Sequence, residues 1–561
     1  MMFRFPKFGR KKITGYIDPD EVFLDASNLP QFDVHQLEGK IERPIGKHVL
    51  LFLGGAFILL VILYSWRLAV LQIARGEEFA NQSENNRLHH SLVFAERGVI
   101  YDRNGEMLAW NEANAELPFA KRLYSDIDGL SHVVGYIGYP LRDTGGNFYK
   151  TEFEGKDGVE KTLHGRLNGT NGLKIVETDA LGDTQSESVL SRPADGENIS
   201  LSVDAELTQA LYGYIKDLSS QVGFDGGAGV MMDIETGEVI ALTSFPEYDP
   251  QVLTNGTPKE TIAAYVKDPR TPFLNRAVAG LYTPGSIVKP FVAIGALMEE
   301  LISPAKQILS TGSISLPNPF VPGTFSVFRD WKAHGWVDMR EAIAVSSDVY
   351  FYAVGGGFAD QRGLGVTAID KYVKLFGIGE KTGFPLPGEK EGVIPTPQWK
   401  QEHFEDGTWR IGDTYNTAIG QYGFQVTPLQ MVRGIAAIAS YGRLVEPVIE
   451  KDARGAAWQL DVPQDALTVV QEGMRLAVTQ GTAAGLNVPY VKVAGKTGTA
   501  ELGITKLYVN SWVVGYFPLE KPKYSFAVLM ERGPRANTVG ATSVMRQCLD
   551  WMKLNKPEYL Q

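Results

Sequence analysis

The chain has one cysteine, Cys548, among its 561 residues. No disulfide can close within it, and no multi-cysteine metal site can be built. A basic stripe is also missing. The formal net charge is -11, which argues against a nucleic-acid partner, and the Asp and Glu residues are spread without an acidic block. No internal repeat is present. The most local absence is of charge: Val49 to Trp66 contains no Asp, Glu, Lys or Arg. With Leu68, Ala69, Val70 and Leu71 beyond Arg67, the stretch 49–71 is long enough to span a bilayer. Forty-eight residues precede it and no A-x-A site follows, so it reads as an anchor and not as a cleaved signal peptide. Lys40, Arg43 and Lys47 before it, and Arg10, Lys11 and Lys12 further back, tip the positive-inside balance toward a cytoplasmic tail over 1–48. The length implies more than one domain, and 44% apolar residues allow a large core.

Three short motifs lie in one order along the chain: Ser286-Ile287-Val288-Lys289, Ser346-Ser347-Asp348 and Lys496-Thr497-Gly498. They describe a serine acyltransferase whose base is a lysine. Each is weak alone, since about two S-x-x-K matches are expected by chance in a chain of this composition. The second match, Ser303-Pro304-Ala305-Lys306, reads as a helix start with Ser303 as cap and Pro304 at the first helical position. The first match follows a Pro284-Gly285 turn and opens an apolar run, which puts Ser286 at a helix N-terminus and Lys289 one turn along on the same face. An i, i+3 pair brings a base within reach of Ser286 Oγ. The helix dipole disfavours a second cation, so a lowered pKa is expected for Lys289.

Lys-Thr-Gly also occurs twice. Lys381-Thr382-Gly383 sits among glycines and prolines and reads as a loop. Lys496-Thr497-Gly498 follows the β-prone stretch Tyr490-Val491-Lys492-Val493-Ala494-Gly495 and reads as a strand at a sheet edge. Asp233 to Ala241 reads as a hairpin, with a Thr236-Gly237 turn between two apolar stretches.

With this ordered set the chain resembles a class B penicillin-binding protein, a monofunctional peptidoglycan D,D-transpeptidase, over about residues 90 to 550. Arg97-Gly98-Val99-Ile100-Tyr101-Asp102-Arg103-Asn104-Gly105, His132-Val133-Val134-Gly135-Tyr136 and Gly158-Val159-Glu160-Lys161 resemble segments of the family's non-catalytic pedestal. Asp348 in place of Asn, the run Val349-Tyr350-Phe351-Tyr352, and Asp330-Trp331-Lys332-Ala333-His334-Gly335 resemble the elongation-type branch more than the division type, and Trp409 to Asn416, leading to Gly420-Gln421, agrees. Tyr422 departs from the pattern, standing where a second glycine of Gly-Gln-Gly is usual. The segment from Ala109 to His132 is short beside the head subdomain that relatives commonly carry there.

The resemblance implies an α/β (α+β) transpeptidase fold, an antiparallel sheet flanked by helices, after a mostly β pedestal and one transmembrane helix. The expected domains are a tail (1–48), an anchor (49–71), a pedestal (72–198) and a transpeptidase domain (199–554). It also implies roles. Ser286 attacks the bond between two terminal D-alanines, with Lys289 as base and the N–H groups of Ser286 and Thr499 as oxyanion donors. Ser346 passes a proton to the leaving D-alanine, Lys496 sets the local electrostatics, and Thr497, Gly498 and Thr499 line the substrate carboxylate. Asp348 either orients Lys289 and Ser346 or satisfies local backbone donors. No cofactor and no metal are implied. The implied partners are peptidoglycan stem peptides and their lipid-linked precursor, β-lactams, a membrane glycosyltransferase of the SEDS family and elongation-complex proteins, with the enzyme in the cytoplasmic membrane and its catalytic domain outside.

Other readings carry less. A β-lactamase or β-lactam sensor shares the motifs but lacks the pedestal, and no deacylating glutamate is recognisable. A silent scaffold does not need the intact motif set. Asp330, His334 and Asp338 have irregular spacing for a metal site. His89-His90 reads as a solvated linker. Gly355-Gly356-Gly357 lacks the Lys and Ser or Thr of a phosphate loop and reads as a break after a helix.

Overall fold

The structure is a computed structural model that describes residues 46–79, 88–145, 147–178, 184–318 and 321–561. The basic tail before residue 46 lies outside them. The chain divides into two units, 1–89 and 90–561.

In the first unit, α1 (Lys47–Ala69) continues as a π-helical turn, Val70–Ala74. Together they make 28 residues with a mean hydropathy of 2.4. At 1.5 Å per residue this is about 42 Å, enough to cross a membrane by length and composition. The apolar side chains along it are exposed, so it is not the core helix of a soluble fold.

The second unit begins with the pedestal. A strand, β1 (Leu88–Val93), occupies the segment expected to be a linker, and His90 on it is exposed. The segments β2 (Ile100–Tyr101), β3 (Met107–Glu112) and β4 (Lys121–Tyr124) join β7 (Ile199–Ser200) in a four-stranded sheet, and β5 (Gly172–Thr178) and β6 (Thr184–Ser191) form an antiparallel pair. The quoted pedestal segments converge. Arg97 Nε lies 2.5 Å from Glu160, and Arg122 Nε lies 2.8 Å from it, all three side chains buried. Burial alone would raise the Glu160 pKa, yet the two guanidiniums overcome it and hold the carboxyl below its ordinary value.

The catalytic domain is built on a five-stranded antiparallel sheet. Its strands are β8 (Gly226–Asp233), β9 (Val239–Phe245), β12 (Ala494–Leu502), β13 (Tyr508–Phe517) and β14 (Tyr524–Pro534), in the order β9-β8-β14-β13-β12, and a separate hairpin, β10 (Ser313–Pro317) and β11 (Phe325–Arg329), lies between β9 and β12 in the chain. The Thr236-Gly237 turn joins β8 to β9 as expected, with Gly237 at φ 82°. Both faces are covered, so alternate residues enter two cores. Ala228, Val230 and Met232 join one with Trp512 and Val514, while Met231 joins the other with Val513 and Phe526. Helices α2 (Ala205–Val222) and α9 (Ala541–Asn555) cover one face, and α7 (Pro428–Ala439) covers the other, with α6 (Ile411–Ala418) before α7 and α8 (Gln464–Gln480) after it in the chain. Double burial explains why these strands read as apolar runs instead of alternating ones.

The catalytic domain grips the pedestal through Glu247, which accepts hydrogen bonds from Gly129 N at 2.6 Å and Ser131 N at 3.0 Å. Burial pushes its carboxyl up to about 7, against 4.5 for an ordinary glutamate. Between those values the folded protein binds more protons than the unfolded chain, so this group favours folding at low pH and loses its contribution as pH rises through about 7. Melting curves at pH 5 and pH 8 should differ by up to about 3 kcal/mol more in the native protein than in Glu247→Gln. An identical pH response in the two would show that Glu247 is not the titrating contact.

Candidate active site

The turn Tyr282–Pro284 leads into a 3-10 turn, Gly285–Val288, which runs on as α3 (Lys289–Met298). Ser286 therefore sits in a 3-10 turn and not at the start of a regular α-helix. With three residues per turn, Ser286 and Lys289 are eclipsed. Trp512 Nε1 of β13 donates to Thr283 O at 3.0 Å, and Gly285 N donates to Gly420 O at 2.9 Å. A Cβ on Gly420 would lie 2.2 Å from Gly285 O, so only glycine allows that approach.

The middle motif joins two helices end to end. Ser346 closes α4 (Met339–Val345) in the left-handed region, φ 59°, and Ser347 caps α5 (Asp348–Gly356) by accepting from Tyr350 N. A non-glycine residue here is strained, and such strain is held only where surroundings enforce it. The two lysines enforce it. Lys289 is fully buried, and its Nζ donates to Asp348 Oδ1 at 2.6 Å, Ser346 O at 2.8 Å and Ser346 Oγ at 3.3 Å. Lys496, equally buried, donates from Nζ to Ser346 Oγ at 2.8 Å and to Thr497 O at 2.8 Å. One hydroxyl is thus shared by two amines.

Lys496, Thr497 and Gly498 lie in β12, the terminal strand of the sheet, as the sequence suggests. The strand starts only at Ala494, after a bend at Tyr490 and Val491 and two irregular residues, Lys492 and Val493. A Cβ on Gly498 would stand 2.7 Å from Pro284 O. The strand therefore crosses the Ser286 turn at a distance only glycine permits. Thr497 Oγ1 donates to Thr482 Oγ1 at 2.6 Å, and Thr499 is exposed beside the turn.

Lys289 makes its hydrogen bonds to Ser346 and Asp348, and none is made to Ser286 Oγ. Lys496 is held well below an ordinary lysine by burial first and then by the Lys289 cation, with Asp348 opposing. Burial raises the Asp348 carboxyl, Lys289 pulls it down, and Asp330 raises it again, leaving it above the ordinary aspartate value. Only the tertiary fold brings Asp348 and Lys496 to Lys289.

The other motif copies fall elsewhere. Ser303 begins a turn and not a helix: Lys306 N donates to Ser303 O, and Ala305 N to Ser303 Oγ. Lys381-Thr382-Gly383 is a loop in which Thr382 is bound by Glu389 and Lys381 is exposed. Asp338 caps α4, and among the described residues no group of three His, Cys, Asp or Glu side chains gathers for a metal. Gly357 ends α5 at φ 89°. Tyr422 has φ 63°, a conformation that explains why glycine is usual there. Its ring lies parallel to Phe404 with centroids 6.1 Å apart, edge-on to Trp399 and Trp409, and under Lys400 Nζ. Aromatic packing offsets the backbone strain. Sequence reasoning also missed Asp330, which touches Ser347, because its only signal was a place in a family-like segment.

A buried lysine pair, a shared serine hydroxyl and an edge strand crossing a serine turn define a serine acyltransferase of the lysine-assisted class. The match to known proteins makes it specific. Residues 227–550 match the penicillin binding protein transpeptidase domain, and residues 118–201 match the penicillin-binding protein dimerisation domain. The chain belongs to the penicillin-binding protein transpeptidase family. The peptidoglycan D,D-transpeptidase MrdA of Acinetobacter baumannii is 28% identical over 94% of this chain and 90% of its own length. PBP2 of Helicobacter pylori, solved in complex with MreC, superposes with a TM-score of 0.71 at 27% identity, over 83% of this chain and 99% of that one. PBP2 of Pseudomonas aeruginosa, solved with WCK 5153, gives 0.70 at 28% identity, over 84% and 98%.

Proposed function

We propose that this protein is an elongation-type peptidoglycan D,D-transpeptidase, acylated at Ser286 by stem peptides and by β-lactams. The observation that carries the reading is the convergence of Lys289 and Lys496 on Ser346 Oγ, at 3.3 and 2.8 Å. Two adjacent buried cations repel, so the pair shares one proton through that hydroxyl, with Asp348 balancing the charge. When the proton rests on Lys496, Lys289 is free to take the Ser286 proton. Oγ then bonds to the penultimate D-alanine carbonyl carbon, and the oxyanion is held by the N–H groups of Ser286 and Thr499. The C–N bond breaks, the terminal D-alanine leaves with a proton delivered through Ser346, and a stem-peptide amine displaces Oγ from the acyl-enzyme. Thr497, Gly498 and Thr499 line the place of the substrate carboxylate.

MrdA relatives and a dimerisation-domain match support this reading over a β-lactamase. The apolar helix at 47–74 supports membrane anchoring. With it we propose a cytoplasmic tail, an outer catalytic domain, domain boundaries near 71 and 198, and assembly with a membrane glycosyltransferase of the SEDS type. Mass spectrometry with a D-Ala-D-Ala stem-peptide mimic and candidate amines tests the function. The expected products are an acyl-enzyme on Ser286 and a cross-linked peptide. Hydrolysis alone, with rapid deacylation of bound penicillin, would point to a β-lactamase.

The duplicated motif gives a separate test. Lys496→Ala should slow acylation by roughly 100-fold or more through lost electrostatic stabilisation, while Lys381→Ala stays within a few-fold. The reverse order would show that the site belongs to the other copy of the motif.

A further inference from the structure

The segment just before α4 touches the catalytic turn at three successive residues. Tyr352 Oη of α5 donates to Arg329 O at 3.1 Å, and Trp331 Nε1 donates to Val345 O, the residue before Ser346, at 3.2 Å. Between them lies Asp330, whose carboxylate is fully buried. Its Oδ2 accepts from Ser347 Oγ at 2.9 Å, Val349 N at 3.0 Å and Ser310 Oγ at 3.3 Å. Its Oδ1 accepts from Trp331 N at 2.8 Å and stands 3.4 Å from His334 Nε2.

These contacts make an unusual cap. The N-terminus of α5 already has Ser347 Oγ on Tyr350 N, so a second acceptor is not needed to satisfy that donor. Asp330 instead binds the residues on either side of Asp348, namely Ser347 and Val349. A buried carboxylate with four hydrogen-bond donors is a rigid point, because each bond to a charged acceptor is stronger than a neutral one. Ser346 is held in a strained left-handed conformation directly before it, and Asp348 projects from the residue between its two anchors. The position of Ser346 Oγ between two lysines thus depends on the far side of the turn being fixed.

We infer that Asp330 is a positioning residue for the reaction, setting the Ser346 hydroxyl and the Asp348 carboxylate against Lys289 and Lys496 through a metal-independent cluster with Ser310, Ser347 and His334. The donors of that cluster are one carboxylate, one imidazole and two hydroxyls. Both hydroxyls are spent as donors to Asp330, and such a set is poor for a transition metal. The inference rests on acylation of Ser286.

The test is the penicillin acylation of the full-length protein, separating the maximal acylation rate from the apparent binding constant. Asp330→Ala should lower the rate by about 30-fold or more with binding within about three-fold, the pattern of a lost transition-state arrangement. Asp330→Asn, which keeps an oxygen for Ser347 and Val349, should recover a good part of that loss. Ser347→Ala removes one anchor with little volume change, and acylation slower by roughly five-fold per folded molecule is expected, beyond the modest fall in melting temperature that loss of its cap on α5 brings. It decides the matter if Asp330→Ala does not fold. Native-like rates in both Asp330→Ala and Ser347→Ala, or losses that only track the folded fraction, would overturn the inference. So would a native enzyme that loses acylation to a chelator and regains it with zinc. A native protein that penicillin does not acylate at all would instead sink the functional reading.

Discussion

Ser286→Ala is expected to abolish covalent labelling by penicillin, with a loss of at least about 10,000-fold in the second-order rate, because no other hydroxyl can replace a nucleophile. The structure leaves no second candidate of the same kind. Ser303, the other serine with a lysine three residues on, has its hydroxyl engaged by Ala305 N, and its lysine reaches Gln361 Oε1 at 3.0 Å. Digestion of the labelled native protein should place the adduct on the peptide containing Ser286. Label persisting in the alanine variant, at Ser303 or elsewhere, would remove the assignment.

Lys289 is expected to be nearly as sensitive. Lys289→Ala and Lys289→Arg should each lose roughly 1,000-fold or more in acylation, since arginine keeps the charge but does not give up its proton. The slot is also closed: Lys289 is fully buried, with its amine on Ser346 and Asp348, so a planar guanidinium cannot enter without displacing them. The pH dependence follows from the partner lysine. Burial and the Lys289 cation lower the Lys496 pKa well below 10.5, so the pair gives up the second of its two protons, and reaches the one-proton state that can act as base, at a lower pH than a free lysine would deprotonate. The native rate should therefore rise with pH and level off below 10.5. If the arginine variant acylates at close to the native rate, Lys289 serves as a fixed cation, and Asp348 is the next base to test.

Much of this was legible because it is local. The order of three motifs, the Thr236-Gly237 hairpin, the edge position of Lys496 and the apolar run at 49–71 follow from spacing, turn chemistry and hydropathy over a few residues. The misreadings share a cause. Ser303 and Pro304 carry helix-start chemistry, yet the residues after them turn at once into a strand, Ile308–Ser310. Val491 and Val493 have strand propensity, but their side chains are buried in an irregular stretch that only feeds β12. Lys496 is depressed because the fold buries it beside Lys289, and the ion pair of Lys289 with Asp348, 59 residues away in sequence, is equally invisible to spacing. Asp330 could not be found by spacing. Its partner Ser347 is 17 residues on, and the strand Gly335–Val337 and helix α4 between them decide that they meet.

The left-handed backbone at Ser346 has an evolutionary consequence. A residue there must satisfy the backbone and the chemistry at once. Glycine relaxes the chain but carries no hydroxyl, asparagine tolerates the conformation but brings an amide between two amines, and threonine adds a branched carbon that this region penalises. Drug pressure can therefore reshape the rim of the groove more readily than this turn. A saturation library at position 346, selected for growth with and without a β-lactam, is expected to return serine in both arms, whereas exposed Lys381, in the loop copy of the third motif, should admit alternatives. Recovery of threonine or alanine at 346 under selection would show that the backbone does not impose this restriction.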